Sequence, residues 1–296
     1  MQNNLSLSID IGGTSAKYAY VTADGRLTGK NSFSTSGLKN LDEFYQQLLP
    51  VIDEGFACGA VNVGLSCPGF IHSDGLCMGG VENLPYLKGV DIPGFLRQRN
   101  PSLKVSIMND GTAAALGEYW LGSGRGSRVL LCITLGTGIG SALILDGRPY
   151  PGSHFQSGEI GYSDYSSSEE YLEIDYSTLG ILRRASALTG SQLDGFAFIQ
   201  RIRDNDPCCL QLLEDWTAKL GRDLANNILM LDPDRVVIGG GISKQSDILI
   251  PLLEKQTNRQ LPPQYRQLAE IVPARLANDA ALFGAVKPFY ETGADT

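Results

Sequence analysis

Residues 133–147 read ITLGTGIGSALILDG, and this stretch determines how the rest of the chain is interpreted. An apolar strand runs into Gly136, Gly138 and Gly140, and a second apolar segment ends at an Asp-Gly turn. A dinucleotide fingerprint needs G-x-G-x-x-G at the start of a helix, and a P-loop needs G-x-x-x-x-G-K before Ser or Thr. The stretch fits neither, and its second apolar segment is too short for a helix. It therefore predicts a strand, a glycine turn and a second strand.

The same pattern occurs near the start of the chain, where residues 9–26 read IDIGGTSAKYAYVTADGR. Both stretches contain an apolar strand, a turn of glycines and threonine, a second strand and Asp-Gly-Arg. Such a repeat indicates two related halves. Glycine turns let backbone N–H groups approach an anion, and Thr14 and Thr137 add hydroxyl donors. Two facing hairpins that grip one phosphate chain are therefore predicted, with two unrelated hairpins as the alternative.

Strands and helices alternate along the remaining sequence, which predicts an α/β fold. Buried strands are predicted at 61–65 and 104–108, and at 235–243, where RVVIGGGIS runs into three glycines. Helices are predicted at 111–121, at 169–189, from Asp206, from about Asp247 and at about 279–292. A Gly/Ser-rich connection at 121–127 separates an expected domain of residues 1–120 from one of residues 121–278. The last helix is expected to pack back onto the first domain.

Composition and charge exclude several classes of protein. The 296 residues carry a formal net charge of −8, which argues against nucleic acid as the main partner. No apolar run approaches the roughly 20 residues that span a bilayer. The N-terminus lacks the pattern of a secretory signal, and the six cysteines are scattered, so reduced thiols are expected. These features predict a cytoplasmic protein that binds neither nucleic acid nor membranes.

Five motifs together resemble the ROK family of bacterial sugar kinases, within the actin/hexokinase/Hsp70 ATPase superfamily. They are DIGGTSAK (10–17), MNDGTAAALGE (108–118), LGTGIGSALILDG (135–147), SGEIG (157–161) and VIGGGIS (237–243). The resemblance covers nearly the whole chain. It implies a two-domain, actin-like (ribonuclease H-like) fold with a cleft between the domains. It also implies ATP-dependent phosphorylation of a hexose-type sugar with ATP and Mg²⁺, by a protein that is expected to be a homodimer.

The resemblance assigns roles to residues of the phosphate motifs. Asp110 would accept the proton of the sugar hydroxyl during phosphoryl transfer, and a helix N-cap is the alternative interpretation. Asp10 would hold Mg²⁺ through water, with a turn-starting aspartate as the alternative. Lys17 would reach a phosphate as a point charge, or is an exposed strand lysine. The remaining implied ATP-binding residues are Gly12, Gly13, Thr14, Gly136, Thr137, Gly138, Gly140, Gly239, Gly240 and Gly241.

The resemblance also implies a sugar site that is rich in carboxylates, because each carboxylate can accept two hydroxyl hydrogen bonds. The implied sugar-binding residues are Pro68, Gly69, Asn83, Asn109, Asp110, Glu159, Tyr162 and Glu173. Tyr162 stands where the family has a histidine. In zinc-bearing members that histidine is a metal ligand, and three cysteines follow it before the second glutamate.

The corresponding segment of this chain, residues 163–172, reads SDYSSSEEYL and contains neither cysteine nor histidine. A structural zinc site needs four such ligands, so no structural zinc is predicted. Zinc-less members that resemble this chain include β-glucoside kinases, whose substrates extend beyond the anomeric oxygen. A cellobiose-like sugar phosphorylated at its 6-hydroxyl is therefore the favoured substrate. Glucokinase, N-acylmannosamine kinase and fructokinase activities remain alternatives.

A sugar-sensing transcriptional regulator is the alternative from another class. Regulators of the family carry a helix-turn-helix before the kinase-like body, whereas the first phosphate strand starts here by about Leu5. A regulator without catalysis also stays open. Asp110 and both glycine turns are present, and they favour an enzyme.

Overall fold

The computed structural model describes residues 5–167 and 169–290, in which strands and helices alternate. The strands are β1 (Leu5–Ile11), β2 (Ser15–Val21), β3 (Leu27–Ser34), β4 (Ala60–Cys67), β5 (Phe70–Ile71), β6 (Cys77–Gly79), β7 (Lys104–Asn109), β8 (Val129–Leu135), β9 (Ile139–Leu145), β10 (Arg148–Pro149), β11 (Arg235–Gly240) and β12 (Glu270–Pro273). The helices are α1 (Leu41–Ala57), α2 (Ile92–Arg99), α3 (Asp110–Leu121), α4 (Leu172–Tyr176), α5 (Thr178–Thr189), α6 (Gly195–Arg203), α7 (Pro207–Leu231), α8 (Ser246–Gln260) and α9 (Ala280–Val286).

The contacts between residues divide the chain into two compact units. Unit 1 contains the described residues of Met1–Leu121, Pro151–Ser157 and Asn278–Thr296. Unit 2 contains those of Gly122–Tyr150 and Gly158–Ala277. None of the helices within the described ranges is both long and apolar enough to cross a membrane.

Each unit contains a five-stranded sheet, and the two sheets have the same topology. The order is β3-β2-β1-β4-β7 in unit 1 and β10-β9-β8-β11-β12 in unit 2. In both sheets the first three strands pair antiparallel and the last three pair parallel. Both central hairpins join two seven-residue strands through a three-residue turn, at residues 12–14 and 136–138. The predicted duplication of a β-hairpin core is confirmed.

The core of unit 1 forms where α1 packs its apolar face beside the sheet. The helix begins at Asn40, whose side chain accepts a hydrogen bond from the Glu43 amide at 3.0 Å. This N-cap satisfies a donor that the first turn otherwise leaves without a partner. Phe44, Leu48 and Ile52 recur at helical spacing and are buried in the core. The strands predicted at 61–65 and 104–108 are confirmed as β4 and β7 of the same unit.

The core of unit 2 forms around α7, the helix predicted from Asp206. The Asp206 side chain accepts from the Cys208 and Cys209 amides, and the helix starts at a proline, whose missing N–H costs nothing there. Trp216 is fully buried, and its indole Nε1–H donates to the Tyr176 carbonyl at 2.9 Å. The buried side chains on the same face are Leu213, Leu220, Leu224 and Ile228.

The prediction of one helix at 169–189 is wrong. α4 ends at Tyr176 and α5 begins at Thr178, because Ser177 has an extended backbone with ψ of 166°. Its side chain accepts from the Gly180 amide at 3.1 Å and caps the second helix. Serine competes with the helical backbone through such hydrogen bonds, which favours a helix start over a helix interior.

The helix predicted at about 279–292 is shorter than expected. α9 covers Ala280–Val286 and continues as a 3₁₀ turn over Lys287–Phe289, while residues 291–292 lie outside the described residues. Pro288 has no N–H to continue the α-helical hydrogen bonds. α9 packs on α3 at backbone distance, since a Cβ on Gly284 would lie 1.7 Å from the Ala113 carbonyl oxygen.

Candidate phosphate and sugar sites

Three parallel strands of unit 1 end side by side and bring predicted site residues together. Asp10 of β1 pairs in register with Ser66 of β4, and Cys67 of β4 pairs with Asn109 of β7. The carboxyl ends of parallel strands are where open α/β sheets bind ligands. The chain continues from these ends into the first glycine turn, into the Pro68–Gly69 turn and into α3.

The first glycine turn is held by hydrogen bonds from both of its sides. The Gly12 amide donates to the Ser15 carbonyl at 3.1 Å, and the Thr35 hydroxyl donates to the Gly12 carbonyl at 2.6 Å. Gly13 and Thr14 are exposed at its tip. A Cβ on Gly13 would lie 2.8 Å from the Cβ of Asn83. The predicted sugar residue Asn83 therefore lies directly beside the predicted phosphate turn.

Asp10 combines partial burial with a fixed carboxylate. The Ser66 hydroxyl donates to Oδ1 at 2.7 Å, and Lys17 lies opposite in the β1–β2 pair. Burial raises the pKa of Asp10, while the Ser66 hydrogen bond and the Lys17 charge oppose that rise. Mg²⁺ prefers carboxylate and water oxygens. A carboxylate held by one oxygen at a strand end fits the predicted water-mediated Mg²⁺ contact.

Asn109 and Asp110 occupy the junction of β7 and α3. Asn109 Oδ1 accepts from the Thr112 amide at 3.1 Å, and its Nδ2 donates to the Gly69 carbonyl at 2.9 Å. Asn109 therefore caps α3 and ties it to the Pro68–Gly69 turn. Asp110 accepts from the Gly111 amide at 2.8 Å and is exposed.

The carboxylate of Asp110 has an electrostatic environment that suits a base. Burial by surrounding protein raises the pKa of Asp110, although the residue keeps an exposed surface. The Gly111 hydrogen bond lowers this pKa, and the nearby Asp10 charge raises it. A higher pKa makes a carboxylate a stronger proton acceptor than an ordinary surface aspartate.

The Pro68–Gly69 turn requires glycine at its second position. Gly69 has φ of +88°, and a Cβ there would lie 2.2 Å from the Gly79 carbonyl oxygen. Beside it, the Cys67 and Cys77 side chains are buried and hydrogen-bonded to each other. This hydrogen bond and burial raise the pKa of Cys67 well above its usual range. The same hydrogen bond lowers the pKa of Cys77, so a negative charge on the pair would lie on Cys77 and not on Cys67.

The second glycine turn, in unit 2, has the same length and place in its hairpin as the first but is closed by a shorter hydrogen-bonded ring. The Gly136 amide donates to the Gly138 carbonyl at 2.9 Å, and Thr137 is exposed at the tip. A Cβ on Gly140 would lie 2.7 Å from the Thr134 hydroxyl. The N-terminus of α5 lies against this turn, where Thr178 Oγ1 donates to the Leu135 carbonyl at 2.9 Å.

Strand β11 runs into the three glycines at 239–241 and pairs with β8. Gly239 and Gly240 pair in parallel register with Thr134 and Leu135, directly before the second glycine turn. Gly240 has φ of +95°, and a Cβ there would lie 2.0 Å from the Leu135 carbonyl oxygen. A Cβ on Gly241 would meet no other part of the protein within 4 Å. The predicted adenosine and phosphate residues of unit 2 therefore share one edge of the sheet.

The sugar-binding residues predicted in unit 2 are also adjacent to the second turn. Glu173 Oε2 accepts from the Ile139 amide at 2.7 Å and lies 3.3 Å from the Cβ position of Gly161. Glu159 and Tyr162 are exposed at the two ends of the turn that contains Gly161. Glu173 thus contacts the phosphate hairpin as well as the segment that carries the other predicted sugar residues.

Sequence interpretation missed several residues that hold these sites in place. No motif pointed to Thr35, which is buried and bonds the first glycine turn. Ser66 could have been found, because it ends a strand parallel to the one that ends at Asp10. The contact of Glu173 with the second hairpin had no sequence signal. Within the described ranges, no group of three or more His, Cys, Asp or Glu residues is placed to hold a metal ion.

Two sheets of one topology, each with a glycine turn on its hairpin, indicate the actin-like ATPase fold. A family model described as "ROK family" matches residues 6–289. The chain therefore belongs to the ROK family.

Two relatives and one solved structure are similar over almost the whole chain. The chain is 30% identical to an N-acetylgalactosamine kinase of Shewanella sp. (strain ANA-3), covering 93% of this chain and 95% of that protein. It is 30% identical to a beta-glucoside kinase of Klebsiella pneumoniae, covering 95% of both. A ROK hexokinase from Thermus thermophilus superimposes with a TM-score of 0.81 at 25% identity, covering 95% and 96%. The chain is an ATP-dependent sugar kinase of the ROK type.

Proposed function

We propose that this kinase transfers the γ-phosphoryl group of ATP to the 6-hydroxyl of a glucose unit, and that β-glucosides such as cellobiose are its preferred substrates. The observation that carries the transfer step is the division of roles at the start of α3. Asn109 caps the helix, and the exposed Asp110 carboxylate is held by hydrogen bonds from the Gly111 amide and the Asn109 side chain. Asp110 is therefore available to a substrate hydroxyl.

In the proposed reaction Asp110 accepts the proton of the 6-hydroxyl. The sugar oxygen then bonds to the γ-phosphorus, and the bond from that phosphorus to the β–γ bridging oxygen breaks, which releases ADP. Such a transfer depends mainly on positioning and charge stabilisation. The raised pKa of Asp110 favours its role as the proton acceptor.

Residues of both units are proposed to bind ATP. Backbone amides of the two glycine turns, with the hydroxyls of Thr14 and Thr137, would hold the β- and γ-phosphates. Asp10 would hold Mg²⁺ through water, and Lys17 would add a positive charge near the phosphates. The bound ion would neutralise charge on the phosphates. Gly239, Gly240 and Gly241 would support the adenosine.

The proposed sugar site combines Pro68, Gly69, Asn83, Asn109, Glu159, Tyr162 and Glu173 with Asp110. The Klebsiella relative named for β-glucosides supports a β-glucoside substrate. The Shewanella relative is equally identical and is named for N-acetylgalactosamine, so a test must include N-acetylhexosamines. We further propose a homodimer in the cytoplasm with no structural zinc, which sedimentation, cell fractionation and metal analysis of purified protein would check.

The test is an ADP-release assay with Mg-ATP over a panel of glucose, cellobiose, gentiobiose, fructose, N-acetylmannosamine and N-acetylgalactosamine. The proposal expects sugar-dependent turnover with the highest kcat/KM on a β-glucoside, and a 6-phosphate in the product by NMR. Activity confined to an N-acetylhexosamine would contradict the proposed substrate. Turnover that does not depend on sugar, or that Asp110→Asn leaves unchanged, would contradict the proposed mechanism.

A further inference from the structure

Three tyrosines form an aromatic cluster in unit 2 between the predicted sugar residues Glu159 and Glu173. The rings of Tyr162 and Tyr171 stack with centroids 5.0 Å apart and an interplanar angle of 22°. The ring of Tyr165 also contacts Tyr171, at 6.0 Å and 32°. We call Tyr162, Tyr165 and Tyr171 the tyrosine cluster.

The tyrosine cluster keeps a large accessible surface. Tyr162 is 49% exposed and Tyr165 is 61% exposed, whereas Tyr171 is half-buried. Packing alone does not account for aromatic rings that remain this accessible. Exposed aromatic groups that lie together often mark a ligand site. A tyrosine offers an apolar ring face together with a polar hydroxyl, which suits an amphipathic ligand.

The segment that carries the cluster is fixed to the body of unit 2. The Leu172 amide donates to the Ser163 carbonyl at 2.8 Å, which closes the loop at its base. Asp164 forms an ion pair with Lys219 of α7, and Lys219 also pairs with Asp223 at 3.2 Å. The rings are therefore presented by an anchored loop, which reduces the entropy lost when a ligand binds.

The cluster is continuous with the proposed sugar site. The Tyr162 amide donates to the Glu159 carbonyl at 3.2 Å. Gly161, the neighbour of Tyr162, has its Cβ position 3.3 Å from Glu173 Oε2. The backbone that carries the tyrosine cluster therefore lies beside both glutamates of the proposed sugar site.

We propose that the tyrosine cluster is a binding site for the second sugar ring of a β-glucoside. A pyranose ring presents C–H groups on its faces and hydroxyls at its edge, so it can lie on an aromatic ring and keep its hydroxyls in water. Tyr165 and Tyr162 would contact the second ring, and Tyr171 would hold them in place. The inference rests on the proposed function, since it presumes that a glucose unit is bound beside Glu159 and Glu173.

The test compares kcat/KM for cellobiose and for glucose in single variants of the two exposed tyrosines. Tyr165→Ala is expected to lower the cellobiose-to-glucose ratio of kcat/KM about tenfold, in the range of one aromatic contact. Tyr162→Ala is expected to lower kcat/KM for both sugars, because Tyr162 also belongs to the proposed sugar site. Tyr165→Phe and Tyr162→Phe keep the ring and are expected to keep the ratio within about threefold. Tyr265→Ala is the matched control, because Tyr265 is an exposed tyrosine of the same unit outside the cluster.

The outcomes separate this inference from the function on which it rests. An unchanged ratio in Tyr165→Ala, or an equal loss of this variant on both sugars, would overturn the tyrosine site and leave a glucose or glucoside kinase standing. A wild-type enzyme that uses glucose but no β-glucoside would overturn the site and the proposed preference for β-glucosides, and would leave transfer to the 6-hydroxyl of glucose standing. A wild-type enzyme that uses neither would overturn the proposed substrate and the site together. Calorimetric titration of cellobiose without ATP provides the second readout, and weaker binding by Tyr165→Ala than by Tyr165→Phe is expected.

Discussion

Asn109 and Asp110 are adjacent at the junction of β7 and α3; Asn109 has a structural role, and a chemical role is proposed for Asp110. The sequence offered two interpretations of Asp110, a helix cap and a catalytic base. The structure gives the cap to Asn109, whose Oδ1 accepts from the Thr112 amide. Asn109 also donates to the Gly69 carbonyl, which connects the start of α3 to the turn after β4. Asp110 can then be replaced without removing the cap.

Asp110→Asn is expected to lower kcat by about 10²–10⁴, because an amide cannot accept the proton of the sugar hydroxyl. Asn Oδ1 can still accept from the Gly111 amide, so the local structure is kept. In the wild-type enzyme, kcat/KM should fall as the pH drops through the raised pKa of Asp110, above the ordinary aspartate range. Steady-state kinetics from pH 4 upward check both expectations. Asp91→Asn, which alters the N-cap of α2, is the control and should leave kcat unchanged.

Thermal unfolding of the same variant provides an independent check on the environment of Asp110. A carboxyl whose folded-state pKa is raised destabilises the fold at neutral pH, since the charged form is disfavoured there. Asp110→Asn removes that charge and is expected to raise Tm at pH 7. The difference should shrink as the pH falls through the raised pKa, because the wild-type carboxyl then becomes protonated. A variant that is inactive and also less stable at pH 7 would indicate misfolding in place of a lost base.

At the scale of elements, the hairpin of β8 and β9 depends on a side chain of α4 that lies 34 residues after Ile139. Glu173 of α4 accepts from the Ile139 amide at 2.7 Å. A Cβ on Gly138 would lie 2.4 Å from Glu173 Oε2, so the carboxylate also lies against the second glycine turn. The same side chain is proposed to bind sugar. The carboxylate therefore connects the predicted sugar-binding segment at residues 157–161 with the second glycine turn inside unit 2.

Glu173→Ala is expected to raise the KM for ATP severalfold as well as the KM for sugar, because the turn loses its support. The loss of the hydrogen bond to the Ile139 amide should lower the free energy of unfolding by about 1–2 kcal/mol. Glu173→Gln keeps an oxygen acceptor and should preserve the KM for ATP better than the alanine variant does. Asp175→Ala on the same helix is the control. If the KM for ATP stays constant while only the sugar KM rises, the proposed support of the turn is wrong.

The sequence predicted well those helices and strands for which several local patterns indicate the same element. The start of α7 at Asp206 and Pro207 and its apolar face were predictable, because cap, proline and periodicity indicate the same helix. The break between α4 and α5 was not predictable. Ser177 is an ordinary helix residue by pattern, and only its extended backbone and its bond to the Gly180 amide end one helix and begin the next.

At the scale of the whole molecule, the repeated motif predicted the duplication because each copy contains its own turn chemistry. Glycines and a threonine between two apolar strands were enough to indicate two hairpins, and the two sheets share one order. The packing of α9 on α3 could not be predicted from local sequence patterns. It joins residues near position 113 to residues near position 284. The cleft that the resemblance implies between the domains stays a prediction.

Because each unit has its own hydrophobic core, we expect a substitution that disrupts the α3–α9 contact to destabilise mainly unit 1. A Cβ on Gly284 would lie 1.7 Å from the Ala113 carbonyl oxygen, so Gly284→Ala must push the helices apart. The expected cost is about 1–3 kcal/mol of unfolding free energy, as for other overpacked contacts. Hydrogen exchange should show faster exchange in β1, β4 and α3, with α7 and β11 little changed. Gly195→Ala, at the start of α6 with open space around it, is the control. Equal loss of protection in both units would show that the two cores unfold as one.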